Sequence, residues 1–261
     1  KDYEMKTIHC LTFLFFLSST PLAAQTRHQP LRLWYDRPAT CFEESLPIGN
    51  GKLGAIIYGR PDDNMIHLND ITFWSGKPVD LTIDSDAHAW IPQIREALFR
   101  EDYRLADSLQ HRVQGANSQY YQPLGTLRIR DLQPGEASGY YRQLSLDSAV
   151  CLDRYVRGGV TYTREYFASA PDKVIAVRLR ASRPGMLSCS IGLGSQVDHG
   201  TKTSDRQIIM TGNAAGDPQE TIHFCTVLRV SNDGGSVERT DSSLIVKGAN
   251  GATIYLVNET S

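Results

Sequence analysis

The sequence lacks most of the features that would mark a particular chemistry. It has no block of basic residues: 27 lysines and arginines stand against 29 aspartates and glutamates, a formal net charge of −2. That balance excludes the electrostatic footprint of a nucleic-acid binder and of a protein held on an anionic membrane surface. The seven histidines are scattered, with no His-x-x-x-His spacing and no carboxylate set beside them, so neither a structural metal nor a cofactor is expected. None of the five cysteines forms a Cys-x-x-Cys or another metal-ligand spacing. Internal repeats, coiled-coil heptads and low-complexity tracts are absent from the sequence as well.

What is present begins with an address. Met5-Lys6 opens a short charged region, Cys10-Leu11-Thr12-Phe13-Leu14-Phe15-Phe16-Leu17 is apolar, and Pro21-Leu22-Ala23-Ala24 supplies small residues. The apolar run is too short to span a bilayer, and the order of the three parts is that of a secretory signal peptide. Residues 1–24 are therefore read as a signal cleaved after Ala24, with the four residues ahead of Met5 as an upstream translation artefact. The mature domain is 25–261, exported to a bacterial periplasm or the extracellular space, with no membrane partner. Cys10 leaves with the signal. Cys41, Cys151, Cys189 and Cys225 remain, which permits two disulfides in three pairings or buried free thiols acting as small hydrophobes. The second reading is favoured, because a domain of this size needs no staples.

Helical periodicity occurs once, over 87–113, where Trp90, Ile94 and Leu98, then Tyr103, Ala106 and Leu109, recur at helical spacing. Asp84, Ser85 and Asp86 offer N-caps, and Gly115 with Asn117 closes the segment. Elsewhere short β-branched and aromatic stretches alternate with Gly, Pro, Asn and Asp. Strands are predicted at 31–35, 53–58, 65–68, 125–130, 140–147, 150–157, 160–168, 173–181, 186–193, 207–211, 223–231, 236–239, 243–247 and 253–257. Arg157-Gly158-Gly159-Val160 is a hairpin signal, and Asn232-Asp233-Gly234-Gly235 is a second turn of that type. The fold class is mainly all-β: a large antiparallel two-sheet β-sandwich with a small helical insertion around 87–113.

Two segments stand out, Leu46-Pro47-Ile48-Gly49-Asn50-Gly51-Lys52-Leu53-Gly54-Ala55 and Ile66-His67-Leu68-Asn69-Asp70-Ile71-Thr72-Phe73-Trp74-Ser75-Gly76. The first lacks the Gly-Lys-Ser/Thr ending and the following helix of a phosphate cradle. Together with Trp34-Tyr35, Pro38-Ala39 and Glu43 they resemble the opening of glycoside hydrolase family 95. The likeness continues through Tyr121-Gln122-Pro123-Leu124-Gly125, Tyr141-Arg142-Gln143-Leu144-Ser145-Leu146-Asp147 and Gly159-Val160-Thr161-Tyr162-Thr163-Arg164-Glu165. It persists past Phe167-Ala168-Ser169 and Pro171-Asp172 to Gly234-Gly235 and Glu259-Thr260-Ser261. Family members carry Asn-Glu where this chain has Asn69-Asp70, and Leu-Trp where it has Phe73-Trp74.

The resemblance implies the N-terminal sandwich of an α-L-fucosidase, or of a relative preferring α-L-galactosides. In that family an (α/α)6 barrel follows, performs inverting hydrolysis of terminal α-L-fucosides in glycans, and is the intramolecular partner of the sandwich. The barrel would engage the fucosylated oligosaccharide. No catalytic residue of the family carries over to this chain, and the fragment alone is expected to be inactive. Asn50, Asn69, Asp70 and Trp74 are the candidates for the substrate rim or the interdomain contact. Trp74 could stack on a sugar, with Asp70 beside it, or pack in the core or against the barrel. A structural role is preferred for Asn50, with Asn69 left open. Asn258-Glu259-Thr260 matches the glycosylation pattern by chance. The rival outside enzymes is a free-standing carbohydrate-binding module, which should expose coplanar aromatics where a severed domain exposes an apolar patch.

Overall fold

The computed structural model describes residues 30–77, 85–115, 119–133 and 135–261. The signal over 1–24, Asp84 and Asn117 lie outside the described residues. Leu31–Ser261 forms one compact unit, built on period-2 alternation of inward apolar and outward polar side chains.

In chain order the strands begin with β1 (Arg32–Tyr35), β2 (Leu46–Gly49), β3 (Leu53–Ile57) and β4 (Asp63–Asp70). A 3-10 turn at Ala87–Trp90 then leads into α1 (Ile91–Phe99) and α2 (Tyr103–Gln110). The next strands are β5 (Gly125–Asp131), β6 (Ser138–Ser145), β7 (Val150–Arg157), β8 (Val160–Ser169), β9 (Val174–Ala181) and β10 (Leu187–Gly194). The last are β11 (His199–Ser204), β12 (Gln207–Asn213), β13 (His223–Asp233), β14 (Ser236–Arg239), β15 (Ser243–Ala249) and β16 (Gly251–Thr260). Nine strands form one antiparallel sheet in the order β1-β6-β7-β8-β9-β16-β13-β12-β11, and seven form the other, β14-β15-β10-β5-β4-β3-β2. The two-sheet sandwich expected from the sequence is the observed fold. Between the layers Ile66, Leu68, Phe73, Leu127 and Ile191 meet Tyr166, Ile175, Leu228, Ile254 and Leu256, all buried.

Two strands escaped the sequence reading. Pro47 argues against a strand, yet β2 is the edge of the seven-stranded sheet, where a missing N–H breaks no ladder. The polar β11, His-Gly-Thr-Lys-Thr-Ser, has no buried residue and lies at the edge of the other sheet, where polarity and Lys202 discourage further pairing. Gly158 and Gly159 take φ of +57° and +70° in the tight β7–β8 turn, as the hairpin requires. Gly234 and Gly235 also take positive φ, but they join β13 of one sheet to β14 of the other. The chain turns a corner there instead of closing a hairpin. A Cβ at Gly235 would lie 2.2 Å from the Lys247 carbonyl oxygen, so the corner accepts no side chain.

The helical segment predicted over 87–113 is present as two short helices, α1 and α2, with a break between them. Glu101 adopts φ +60°, and the Asp102 carboxylate then caps α2 by accepting from the Leu105 N–H at 3.1 Å. Asp86 makes no side-chain cap bond. Ala97 and Ala106 are the buried residues of α1 and α2; their small side chains let the two helices close. Of the apolar stripe read from the sequence, Ala106 is buried, Trp90, Ile94 and Leu109 are half-buried, and Leu98 and Tyr103 are exposed; Ile91 and Phe99, outside that stripe, are exposed as well, Phe99 at 86%.

Charge also enters the core. Arg164 on β8 donates through Nε to the Asp153 carboxylate at 2.6 Å. Tyr166 donates to its other oxygen at 2.6 Å and accepts from the Asn64 amide of the opposite sheet at 2.9 Å. Asn64 in turn accepts from the Gly59 N–H, and Arg164 donates to the Arg60 carbonyl. Arg157 and Tyr155 both donate to Asp131 of β5, at 2.8 and 2.7 Å. Arg142 donates to the carbonyls of Arg37 and Glu44 and lies 4.1 Å over the Tyr35 ring. Burial pushes the Asp153 carboxyl up from its usual range, with Arg164 opposing. A buried charge whose partner is removed is strongly destabilising. Asp153→Ala is therefore expected to cost about 3–5 kcal/mol in urea unfolding followed by circular dichroism, against a small loss for Glu165→Ala, whose pairing with Arg178 is part-exposed.

Candidate functional site

The two distinctive segments fold side by side at one end of the seven-stranded sheet. Leu46 to Gly54 makes the β2–β3 hairpin, with Leu46 opposite Ile57 and Gly49 opposite Gly54. Gly51 takes φ +91° at its tip. The Asn50 side-chain oxygen accepts from the N–H groups of Lys52 and Leu53 at 3.0 and 2.7 Å. Its amide nitrogen donates to the Ser169 carbonyl of the other sheet at 2.9 Å. Asn50, half-buried, thus uses its side chain to brace the hairpin and tie it to the other sheet.

Asp70 ends β4 and is wholly buried. One carboxylate oxygen accepts from the N–H and hydroxyl of Thr72, at 3.0 and 2.7 Å. The other accepts from the Asn258 amide at 2.8 Å, and Asn258 accepts from the Thr226 hydroxyl. With both oxygens occupied by internal donors, Asp70 ties β4 to β16 and does not face solvent. The same bonds bury Asn258 and leave no exposed amide for a glycan.

Phe73 turns inward and meets Phe224 edge-on at 5.1 Å, which forces its neighbour Trp74 outward. Trp74 is 41% exposed, and its indole N–H is satisfied by the Ile71 carbonyl at 3.0 Å. Its ring meets Tyr121 edge-on at 5.3 Å and 66°, across an isolated backbone bridge between the two residues. Ile71 and Tyr120 complete an exposed apolar edge. Ser75 holds Tyr120 by two bonds of 2.8 Å, N–H to carbonyl and N–H to hydroxyl. Asn69, opposite Gly54 in the β3–β4 register, turns its side chain to the Tyr121 hydroxyl. Burial pushes that hydroxyl's pKa up while the Asn69 contact opposes the shift.

The structure therefore brings Asn69 and Trp74 together and directs Asn50 and Asp70 into the fold. The sequence reading did not single out Tyr120 and Tyr121 as site residues. Their signal was an aromatic doublet opening the Tyr-Gln-Pro-Leu-Gly motif. Aromatic faces, an amide and a neutral phenol suit the apolar face and hydroxyls of a sugar ring, or another apolar surface. Among the described residues no three His, Cys, Asp or Glu side chains gather as a metal site, and no helix is long and apolar enough to cross a membrane. The four described cysteines are free thiols, but only Cys151 and Cys189 are buried as expected, and Cys41 and Cys225 are exposed; burial pushes the Cys189 thiol up to about 12.

Fold and edge together define an antiparallel β-sandwich domain with an exposed aromatic edge at one end of its seven-stranded sheet. Over residues 33–261 the chain matches the family described as glycosyl hydrolase family 65, N-terminal domain, and it belongs to that family. It is 30% identical over 257 residues to alpha-L-fucosidase 2 of Arabidopsis thaliana, covering 89% of this chain and 30% of that protein. It is 32% identical over 174 residues to the Aspergillus niger protein named "Probable alpha-fucosidase A", covering 63% of this chain and 22% of that one. The family 95 resemblance is consistent with both. A solved structure named "Putative kojibiose phosphorylase from human microbiome" shares the fold, with a TM-score of 0.51 at 11% identity over 89% of this chain and 33% of that one. The chain spans less than a third of the length of these curated relatives.

Two outcomes test the division of labour at this edge. Asp70→Ala should cost about 2–3 kcal/mol of stability, because it strips the acceptor from buried donors. Trp74→Ala should cost only about 1 kcal/mol, the scale of one aromatic pair; urea unfolding measures both. His67, on the outer face of β4, has its pKa lowered from the ordinary 6.5, first by burial and then by Arg128 and Arg60. The unfolded chain then binds the proton first, so stability contributed here is full above about pH 6.5 and falls as pH drops towards the folded value. Thermal midpoints measured between about pH 7.5 and about pH 5.5 should fall less steeply in His67→Gln.

Proposed function

We propose that this chain is the N-terminal sandwich of an exported α-L-fucosidase, whose longer parent hydrolyses terminal α-L-fucosides with inversion. The observation that carries the reading is the exposed edge of Ile71, Trp74 and Tyr121, built by the same segments that carry the fucosidase resemblance. The sequence similarity to the two named α-fucosidases supports it. In this reading the edge and the exposed Leu98, Phe99 and Tyr103 of α1 and α2 face an (α/α)6 barrel. The barrel supplies the acid that protonates the glycosidic oxygen and the base that activates water on the opposite face of the sugar. The sandwich buttresses that barrel, and Asn69 and Trp74 reach the substrate rim. Asn50 and Asp70 shape the loops from behind. The signal over 1–24 directs export.

A fluorogenic α-L-fucoside assay on 25–261, beside the same gene extended through its following several hundred codons, tests the reading. Activity is expected in the extended protein alone, and Trp74→Ala there should lower it at least severalfold with the barrel still folded. Activity in 25–261 by itself would overturn the supporting role. An active extended protein that ignores α-L-fucosides and cleaves α-L-galactosides would move the substrate while keeping the architecture.

A further inference from the structure

The outer face of the seven-stranded sheet carries a trough of about 450 Å³ between β5 and β15, within the range of small-molecule sites. One wall is cationic: on β5, Arg130 stands opposite Ser190 of β10 and Arg128 opposite Gly192. The floor is low because β10 alternates inward apolar residues with outward Ser190, Gly192 and Gly194. On the far side Gly192 faces Ser243 of β15. A Cβ built at Gly192 meets no atom within 4 Å, so the space above it is open.

Charge on this face is one-sided. Arg128 donates to the Asp63 carboxylate at 2.8 Å, from β4 on the side of β5 away from the trough. Arg130 lies 3.6 Å from the same oxygen, too far for a hydrogen bond. One carboxylate thus answers two guanidiniums. The trough is lined by both arginines, by the hydroxyls of Ser190, Ser242 and Ser243 and by the Gln196 amide, with no acidic or aromatic side chain among the described residues. The positive field reaches His67 on β4, whose pKa is lowered first by burial and then by Arg128 and Arg60. An arginine fork matches a carboxylate or a sulfate in shape and charge. Hydroxyls and an amide, which both donate and accept, suit the hydroxyls of a sugar. The lack of an aromatic face removes the stacking surface that a neutral sugar ring or a nucleobase would use.

We propose that this trough binds an acidic saccharide, the carboxylate of a sugar acid or the sulfate of a sulfated sugar being held by Arg128 and Arg130. The ring would lie over Gly192 and Gly194, with its hydroxyls against Ser190, Ser242 and Gln196. The trough shares no residue with the Trp74 edge, so it stands or fails apart from the fucosidase reading.

Isothermal titration of the full chain with glucuronate, a glucose sulfate, glucose and inorganic sulfate tests the site. The sugar acid, the sulfated sugar or both should bind, and glucose should not; which of the two binds identifies the oxyanion. Added salt should weaken the binding, because exposed charges are screened. Arg130→Ala, which leaves the Arg128–Asp63 pair in place, should weaken it about tenfold. Gly192→Leu keeps both charges and fills the trough, so it should abolish binding, whereas Arg154→Ala on the other sheet should change nothing. Thermal unfolding of each variant establishes that the fold is intact. Glucose bound as tightly as the charged sugars, inorganic sulfate bound as tightly as either, no binding at all, or binding indifferent to Arg130→Ala or to Gly192→Leu would overturn the proposal.

Discussion

The sandwich depends on arginines that point the wrong way. Arg142, Arg157 and Arg164 sit on adjacent strands of the nine-stranded sheet and are buried. Arg164 reaches the Arg60 carbonyl and Arg157 the Asp131 carboxylate across the layer gap, while Arg142 holds the β1–β2 connection through the Arg37 and Glu44 carbonyls. An apolar core holds two sheets together without regard to small sliding motions, because the hydrophobic effect is non-directional. Charge-assisted hydrogen bonds do carry direction. Here the Arg164–Asp153–Tyr166–Asn64 chain fixes β8 against β4, and Arg157 with Asp131 fixes β7 against β5. The spacing and angle of the two sheets are set by these contacts as much as by the leucines around them.

The same logic recurs on a smaller scale at the edge that carries the motifs. Asp70 and Asn258 join the sheets near the end of β4, and Asn50 anchors the β2–β3 hairpin to the end of β8. Once those side chains are committed inward, alternation leaves their neighbours to face outward: Asn69 on one side of Asp70, and Trp74 beside the buried Phe73. The exposed edge is a consequence of the internal bonds behind it. That explains why a segment dense in distinctive residues contains so few that are accessible.

Much of this was legible in the sequence. Alternation along β10, β-branched and aromatic runs elsewhere and the Gly158-Gly159 turn pointed to an antiparallel sandwich, because period-2 burial and a two-glycine turn each have one natural geometry. What was not legible follows from the same rules. The edge strands β2 and β11 lack an apolar face or carry a proline, since edges need neither two-sided burial nor a full set of donors. The side chains of Asp153, Asp131 and Asp70 are buried because a partner on another strand or loop compensates each, and no local pattern reveals that partner. Trp74 could be read as core or surface from its neighbours alone. The inward turn of Phe73 decided it.

The strand order carries a consequence for how the molecule is made. β16, residues Gly251–Thr260, is paired on both sides, by β9 and by β13. During synthesis from the N-terminus, β1 with β6 to β9 and the later trio β11 to β13 emerge as two partial sheets with no partner between them. Each presents an open edge that can pair with a neighbouring chain. Only when the final ten-residue strand clears the ribosome does it slot between them and make the nine strands continuous. The nine-stranded sheet is thus made continuous by a strand that comes late in this chain, so the interval before β16 emerges is when the two partial sheets are most open to mispairing.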